Sequence, residues 1–214
     1  MKISIYSSKG SAGKTPIATN IALDKDFCIG TNELFHVYDG FIPDNQLIAL
    51  DTEDEFPDVG NIDIVFDLAG SISKSAHSIT SALKMSDYVI VPIYNEFKCL
   101  VAGLNTISQI LKYNSNIIVV ATKLQKTKKD ILMAHGSNDW HSSEDYKNIK
   151  RAVSEKISND IPVMPLKFSK VFDNIFEYKK SIKQLMDESP LAKYNYKEVA
   201  KQFDDIYKLI EVKK

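Results

Sequence analysis

Ser7-Ser8-Lys9-Gly10-Ser11-Ala12-Gly13-Lys14-Thr15-Pro16 decides the fold. It joins a strand-like segment, Lys2–Tyr6, to a helix-like one, Pro16–Leu23. Ile3 and Ile5 are apolar β-formers, while Ile17 and Ile21, with Ala18 and Ala22, recur at helical spacing. A phosphate-cradling loop reads glycine, four residues, then Gly-Lys-Ser/Thr in this same strand-to-helix setting. Gly13-Lys14-Thr15 closes that pattern, and Ser8 stands where the opening glycine would. Backbone N–H groups of such a loop converge at a helix N-terminus, where the helix dipole favours an anion. Lys9, Gly10, Ser11, Ala12, Gly13, Lys14, Thr15 and Pro16 are therefore candidate nucleotide-binding residues. Lys14 would reach the terminal phosphates, and the Thr15 hydroxyl would ligate Mg2+.

Outward from this loop, strand-like and helix-like segments alternate. Strands are expected at Lys2–Tyr6, Phe27–Gly30, Gln46–Leu50, Asp63–Asp67, Tyr88–Ile93, Asn116–Thr122 and Ile161–Pro165. Helices are expected at Lys14–Leu23, Ser73–Met85, Leu100–Lys112, Ser142–Ile157, Phe172–Glu177, Ser181–Glu188 and Tyr196–Glu211. Unbroken apolar runs such as Tyr88–Val91 and Ile117–Ala121 fit strands buried on both faces, hence a parallel sheet covered by helices. The expected fold is α/β, a doubly wound, mostly parallel sheet with helices on both faces, built as one domain over residues 1–214. Ligands of such folds bind at the carboxyl ends of the strands.

A second chemical signal is Ile62-Asp63-Ile64-Val65-Phe66-Asp67-Leu68-Ala69-Gly70, an apolar strand ending in an acid. P-loop enzymes place a carboxylate near Mg2+ in this way. Asp67 is the candidate, with Gly70 as a backbone contact to the γ-phosphate.

Composition bounds the rest. Of 214 residues 44% are hydrophobic and 26% charged, an ordinary globular balance with net charge −1 that excludes a bulk polycation. Charge is uneven, however. Residues 1–122 hold 8 lysines against 14 acids, and residues 123–183 hold 13 basic against 8 acidic residues, so a polyanion partner is best sought in the later section. Cys28 and Cys99 lack metal-ligand spacing and read as buried free thiols of a reducing cytosol. No signal peptide precedes the first strand, and no apolar run approaches the ~18 residues of a membrane span. The polar stretch Gly136–Tyr146 reads as a surface loop.

Lys9-Gly10-Ser11-Ala12-Gly13-Lys14-Thr15 resembles the deviant Walker A loop, Lys-Gly-Gly-x-Gly-Lys-Thr, of the ParA/Soj/MinD ATPases, departing at Ser11. Asp63–Gly70 followed by Ser71-Ile72-Ser73 resembles the Walker B strand of the short, ParF-like ParA proteins. Ser86-Asp87-Tyr88-Val89-Ile90-Val91-Pro92 is similar to the family's next strand, and Lys180–Ile182 with Lys193–Ile210 to its closing helices. The resemblance implies a DNA-segregation ATPase using ATP and Mg2+, cytoplasmic and nucleoid-associated. It implies an ATP-sandwich homodimer in which Lys9 crosses to the partner's phosphates, with Lys9, Lys14, Asn32 and Asp67 as the catalytic group. It implies non-specific DNA binding by the ATP dimer, and hydrolysis stimulated by a centromere-binding, ParB-like partner. From the basic section and the family's DNA-binding surface, the candidates for DNA contact are Lys147, Lys150, Arg151, Lys170, Lys179, Lys180 and Lys183. Lys147, Lys150 and Arg151 fall within one helical turn and present one face.

Two departures bear on catalysis. Pro16 replaces a threonine that binds the α-phosphate, although proline is tolerated in a helix's first turn. Strand 2 of the family ends in Asp-x-Asp-Pro-Gln, and aligning Phe27–Glu33 with it puts Gly30 and Asn32 at the two acids. An amide is a poor general base, which leaves Glu33 or Asp51 as substitutes and slow, partner-dependent hydrolysis or a binding-only switch open. Thr122-Lys123-Leu124-Gln125 follows a buried strand but has Gln125 where guanine recognition needs an acid, favouring ATP, with Thr122 and Lys123 near the base.

Two rivals stand beside this. A MinD-like membrane-recruited ATPase needs a basic amphipathic C-terminal helix. Tyr196–Glu211 carries Val199, Phe203, Ile206 and Ile210 on one stripe, yet Asp204, Asp205 and Glu211 oppose anionic lipid, so a core-packing helix and no membrane partner are expected. A dethiobiotin-synthetase-like ligase predicts a small-molecule substrate and no DNA.

Overall fold

A computed structural model describes residues 1–51, 54–70, 76–133 and 139–211. Its strands are β1 (Lys2–Ile5), β2 (Cys28–Thr31), β3 (Leu47–Ala49), β4 (Ile64–Asp67), β5 (Tyr88–Ile93), β6 (Ile117–Leu124) and β7 (Val163–Lys167). They form one parallel seven-stranded sheet in the order β3-β2-β4-β1-β5-β6-β7. The helices are α1 (Lys14–Lys25), α2 (Ala76–Met85), α3 (Phe97–Ile110), α4 (Lys128–Met133), α5 (Glu144–Lys156), α6 (Val171–Tyr178), α7 (Ile182–Met186) and α8 (Pro190–Glu211).

The apolar runs are explained by two cores that share each strand. Ile3, Ile5, Val65, Ile90, Ile118 and Val120 point to one face, where α1, α6, α7 and α8 pack. Ile64, Phe66, Val89, Val91, Ile117 and Val119 point to the other, under α2, α3 and α5. Successive side chains of a strand alternate between faces, so a strand covered twice must be apolar at every position. The α8 stripe of Val199, Phe203, Ile206 and Ile210 is buried in the first core.

Register then builds the site. Asp67 is level with Ile5 of β1 on one side and Thr31 of β2 on the other. The loop after β1, the acid ending β4 and the segment leaving β2 therefore emerge together at the carboxyl edge. The connections step away from β1 in opposite directions, because α1 crosses one face to β2 and α2 crosses the other to β5. That crevice is where doubly wound folds bind ligands.

Several expectations are corrected. Cys28 is half-buried, whereas Cys99 is fully buried; both are free thiols. Tyr146, expected in a surface loop, is buried in α5 and donates to the Val163 carbonyl at 2.9 Å. Residues 136–138 of that stretch, and the Ser71-Ile72-Ser73 segment with the expected start of α2, lie outside the described residues. α8 begins at Pro190, earlier than the expected Tyr196.

Candidate functional site

The loop after β1 wraps a cleft of about 700 Å³ lined by Ser8, Gly10, Ser11, Gly13, Lys14, Thr15 and Pro16, with Glu33, Gly70 and Lys123 closing it. Gly13, at φ 96°, caps α1 in a conformation that L side chains rarely adopt. Pro16 costs no helix bond, since the first N–H bonded back along the helix is that of Ile17, to the Gly13 carbonyl at 3.4 Å. Thr122 pins the loop by donating from Oγ1 to the Ala12 carbonyl at 3.0 Å. Ser8, in the missing glycine's place, is held from α3: its N–H donates to Thr106 Oγ1 at 3.3 Å, and the two hydroxyl oxygens lie 2.8 Å apart.

Lys14 is nearly buried, and its amine reaches toward the segment after β4. A Cβ added to Gly70 would lie 3.1 Å from the Ser7 carbonyl, 3.3 Å from the Ser8 carbonyl and 3.5 Å from Lys14 Nζ. Gly70 is therefore a close-approach glycine seated on the phosphate loop. Neither Lys9 nor Ala12 lines the cleft. Burial raises the pKa of the Cys99 thiol in the first turn of α3, and the Lys9 ammonium is near enough to counter that rise.

Asp67 is 1% exposed. Tyr38 donates from Oη to its Oδ2 at 2.9 Å, while Oδ1 is buried with no hydrogen-bond partner among the described residues. Burial pushes the Asp67 carboxyl up to about 6, against the pull of the Thr15 and Tyr38 hydroxyls and of the Lys14 charge. A buried polar atom without a partner costs free energy, so an orphaned carboxylate oxygen beside the phosphate-loop threonine marks a place for a cation or its water. The donor set, one hydroxyl and one carboxylate, suits Mg2+, which keeps most of its waters.

The segment leaving β2 places Asn32 and Glu33 differently with respect to the cleft. Asn32 is fully buried, donates from Nδ2 to Ser78 Oγ at 2.7 Å, and accepts from the Ala69 N–H at Oδ1, also 2.7 Å. Both ends of the amide are committed to tying β2, the turn after Asp67 and α2 together, and Asn32 does not line the cleft. Glu33 does. Gly30 is not an acid's vacated place either: a Cβ there would lie 2.6 Å from the Phe66 ring. Moving the alignment by one residue puts Thr31 and Glu33 at the two acidic positions.

Next to this cleft is a second space of about 140 Å³, lined by Gly13, Pro16, Thr122, Lys123, Phe168 and Phe172 among others. Thr122 and Lys123 thus both line this second space. Lys123 turns with φ 54°, and its ammonium sits 4.6 Å from the Tyr94 ring centre. Phe168 and Phe172 escape sequence reasoning, because only the return of β7 to the sheet edge carries them beside the loop. The one signal available is an apolar residue, Phe168, just past a strand.

The basic candidates do not form one surface. Lys147, Lys150 and Arg151 are all exposed on α5, opposite its buried Tyr146, Ile149 and Val153, on the α2–α3 face of the sheet. Lys179 and Lys180 precede α7 and Lys183 lies in its first turn, on the other face. Those three are engaged within the chain: Lys179 donates to the Gly40 carbonyl at 2.7 Å, Lys180 pairs with Glu188 at 2.7 Å, and Lys183 pairs with Asp204 at 2.7 Å and Asp24 at 3.3 Å. Lys170, exposed, precedes α6.

The sequence matches no protein-family model and no curated protein. Solved structures match over nearly the whole chain. McdA of Cyanothece, in a complex with ATP, superposes with a TM-score of 0.65 at 11% identity, covering 100% of this chain and 98% of McdA. The septum site-determining protein MinD of Pyrococcus horikoshii, with Mg-ADP, gives 0.64 at 15% identity and covers 96% of both chains. A plasmid partition protein of Borrelia burgdorferi bound to AMPPNP gives 0.51 at 15% identity, covering 95% and 98%. The chain thus has the fold that its resemblance to the ParA/Soj/MinD proteins implied.

Proposed function

We propose that the chain is an ATP-driven switch of the ParA type: a slow ATPase that dimerises on ATP, holds DNA non-specifically, and is reset by hydrolysis. The observation that carries the nucleotide half is the orphaned Oδ1 of Asp67, buried beside Thr15 and Lys14. The neighbours' ligands, ATP for McdA, Mg-ADP for MinD and AMPPNP for the partition protein, support it.

The phosphates would lie along Gly10–Thr15, with Lys14 facing the terminal ones and Gly70 against the γ-phosphate. The base would enter the space between Thr122–Lys123 and Phe168–Phe172, where an aromatic ring gains by stacking and burial. Thr15 and Asp67 would hold Mg2+, which neutralises phosphate charge when bound. Glu33, lining the cleft, is the acid that would orient the attacking water. Lys9 is half-buried and outside its own subunit's cleft, which suits a lysine that completes the partner's site in a homodimer.

For DNA, Lys147, Lys150 and Arg151 are the strongest group, being exposed together on α5. A ParB-like protein is the expected stimulator, and the MinC:MinD complex supports a partner protein in general. The membrane-recruited alternative is disfavoured, since the apolar stripe of α8 is used by the core. Nucleoid association in the cytoplasm is the corresponding location.

DNA retardation with ATP, ADP and no nucleotide tests the proposal. Retardation is expected with ATP alone, falling steeply with salt, since each neutralised phosphate adds about 0.9 to the slope of log K against log salt. The triple variant Lys147→Glu, Lys150→Glu, Arg151→Glu should lose it at unchanged ATP affinity. Retardation that ignores nucleotide, or none at low salt, would overturn the DNA role.

A further inference from the structure

Tyr38 lies in the segment leaving β2, outside every motif of the sequence. Its surroundings in the chain are open: Leu34 is 68%, Phe35 89% and Val37 52% exposed, yet Tyr38 is 0% exposed. A tyrosine buried whole needs a partner for its hydroxyl. Here Oη donates to Asp67 Oδ2, and the Thr19 hydroxyl, which donates to the Thr15 carbonyl at 2.7 Å, lies 3.4 Å from it. Tyr38 is thus bonded directly to Asp67, read as one Mg2+ group, and lies beside Thr19, which is bonded to the backbone of Thr15, whose hydroxyl is read as the other. The turn that delivers Tyr38 is itself closed, with the Phe41 and Ile42 N–H groups donating to the Tyr38 carbonyl at 2.9 and 3.0 Å.

We propose that Tyr38 is a positioning residue for the metal-site carboxylate. By occupying Oδ2 it fixes the rotation of the Asp67 carboxylate and leaves Oδ1 as the one oxygen open to a cation or its water. Partners of this kind orient metal ligands, and their loss costs about 10–100-fold in metal affinity. The device also explains an economy in the fold: a segment with three exposed apolar side chains is held by one buried ring at the chemical centre. The proposal rests on the Mg-ATP reading of the cleft.

The test is nucleotide binding by the full chain, followed with a fluorescent ADP analogue in EDTA and across a Mg2+ titration. Tyr38→Phe keeps the ring and deletes only the hydroxyl. Its affinity in EDTA should equal that of the wild type, while the Mg2+ concentration at half-effect rises about tenfold. Thr19→Val should shift the same midpoint in the same direction by less. An unchanged Mg2+ midpoint in Tyr38→Phe, or an equal loss of affinity with and without metal, would overturn the proposal and leave Tyr38 a packing residue. If the wild type binds no nucleotide under either condition, the Mg-ATP reading itself falls, a result separable from the other two because it needs no variant.

Discussion

Residues 8–15, which wall the cleft, and residues 32–42, which reach its other side through Glu33, are specified in different ways. The first wall is local: Gly13 and Lys14 act through backbone torsion and reach set by their own position in a strand–loop–helix unit. The second acts through distant partners. Asn32 works by bonding Ser78 and Ala69, and Tyr38 by bonding Asp67. Motif spacing reads the first kind of wall and misreads the second, because what a residue does there depends on what the sheet brings to it.

The sharpest way to break this comparison is at Asn32 and Glu33. If Glu33 orients water, Glu33→Gln should lower single-turnover ATP hydrolysis by about 10²–10⁴-fold with ATP affinity nearly unchanged. Asn32→Asp, which a motif-based view expects to speed hydrolysis, should instead leave it unchanged or lower it. An acid at a fully buried position cannot donate to Ser78 in its ionised form, and the uncompensated charge should destabilise the fold by roughly 1–3 kcal/mol. Faster turnover in Asn32→Asp, with no effect of Glu33→Gln, would restore the original alignment.

Asp67 offers a smaller, pH-dependent test. Its folded pKa, raised from 3.8 to about 6, means the folded state binds that proton more tightly than the unfolded chain. The stability this contributes is fully present below 3.8 and lost as pH rises through about 6. Above that range the buried carboxylate is a standing cost, since each tenfold difference in proton affinity between folded and unfolded chain is worth about 1.4 kcal/mol. Asp67→Asn should therefore stabilise the nucleotide-free protein by roughly 1–3 kcal/mol at pH 7.5, and by little near pH 4, while removing the Mg2+ dependence of nucleotide binding. Denaturant melts at the two pH values measure it. A variant less stable than wild type at pH 7.5 would mean that Tyr38 and Thr15 more than offset the burial.

The legible part of the fold has a plain cause. Strands covered on both faces are apolar at every position, so β5 is readable to the residue, and β1, β4 and β6 nearly so. Edges are less so: β7 is expected two residues early, since Pro165 reads as a strand end but sits on an edge that tolerates it. α4, six residues beginning Lys128-Lys129-Asp130, has too short and polar a sequence to show a period. The phosphate loop and Asp67 are legible because each is a local pattern. Phe168 and Phe172 beside the loop, Tyr38 and the division of the lysines between two faces are not, because they follow from which strand lies beside which.

The last prediction probes the local wall by its one departure, Ser11. It holds φ 60°, the left-handed region where a side chain costs about 1 kcal/mol and glycine costs nothing. Ser11→Gly removes that strain but adds freedom to the unfolded chain, worth roughly 0.5–1 kcal/mol in the opposite direction. The two nearly cancel, so the melting temperature should move by less than about 3 °C in a chain of this size. Nucleotide affinity should hold or rise slightly, because the loop's N–H groups keep the same torsions at lower strain. Ser11→Ala keeps the strain and loses only the hydroxyl, and should likewise bind normally. If both variants lose affinity by tenfold or more, the Ser11 hydroxyl itself contacts phosphate, and the first wall too acts through a side-chain partner that backbone geometry does not disclose.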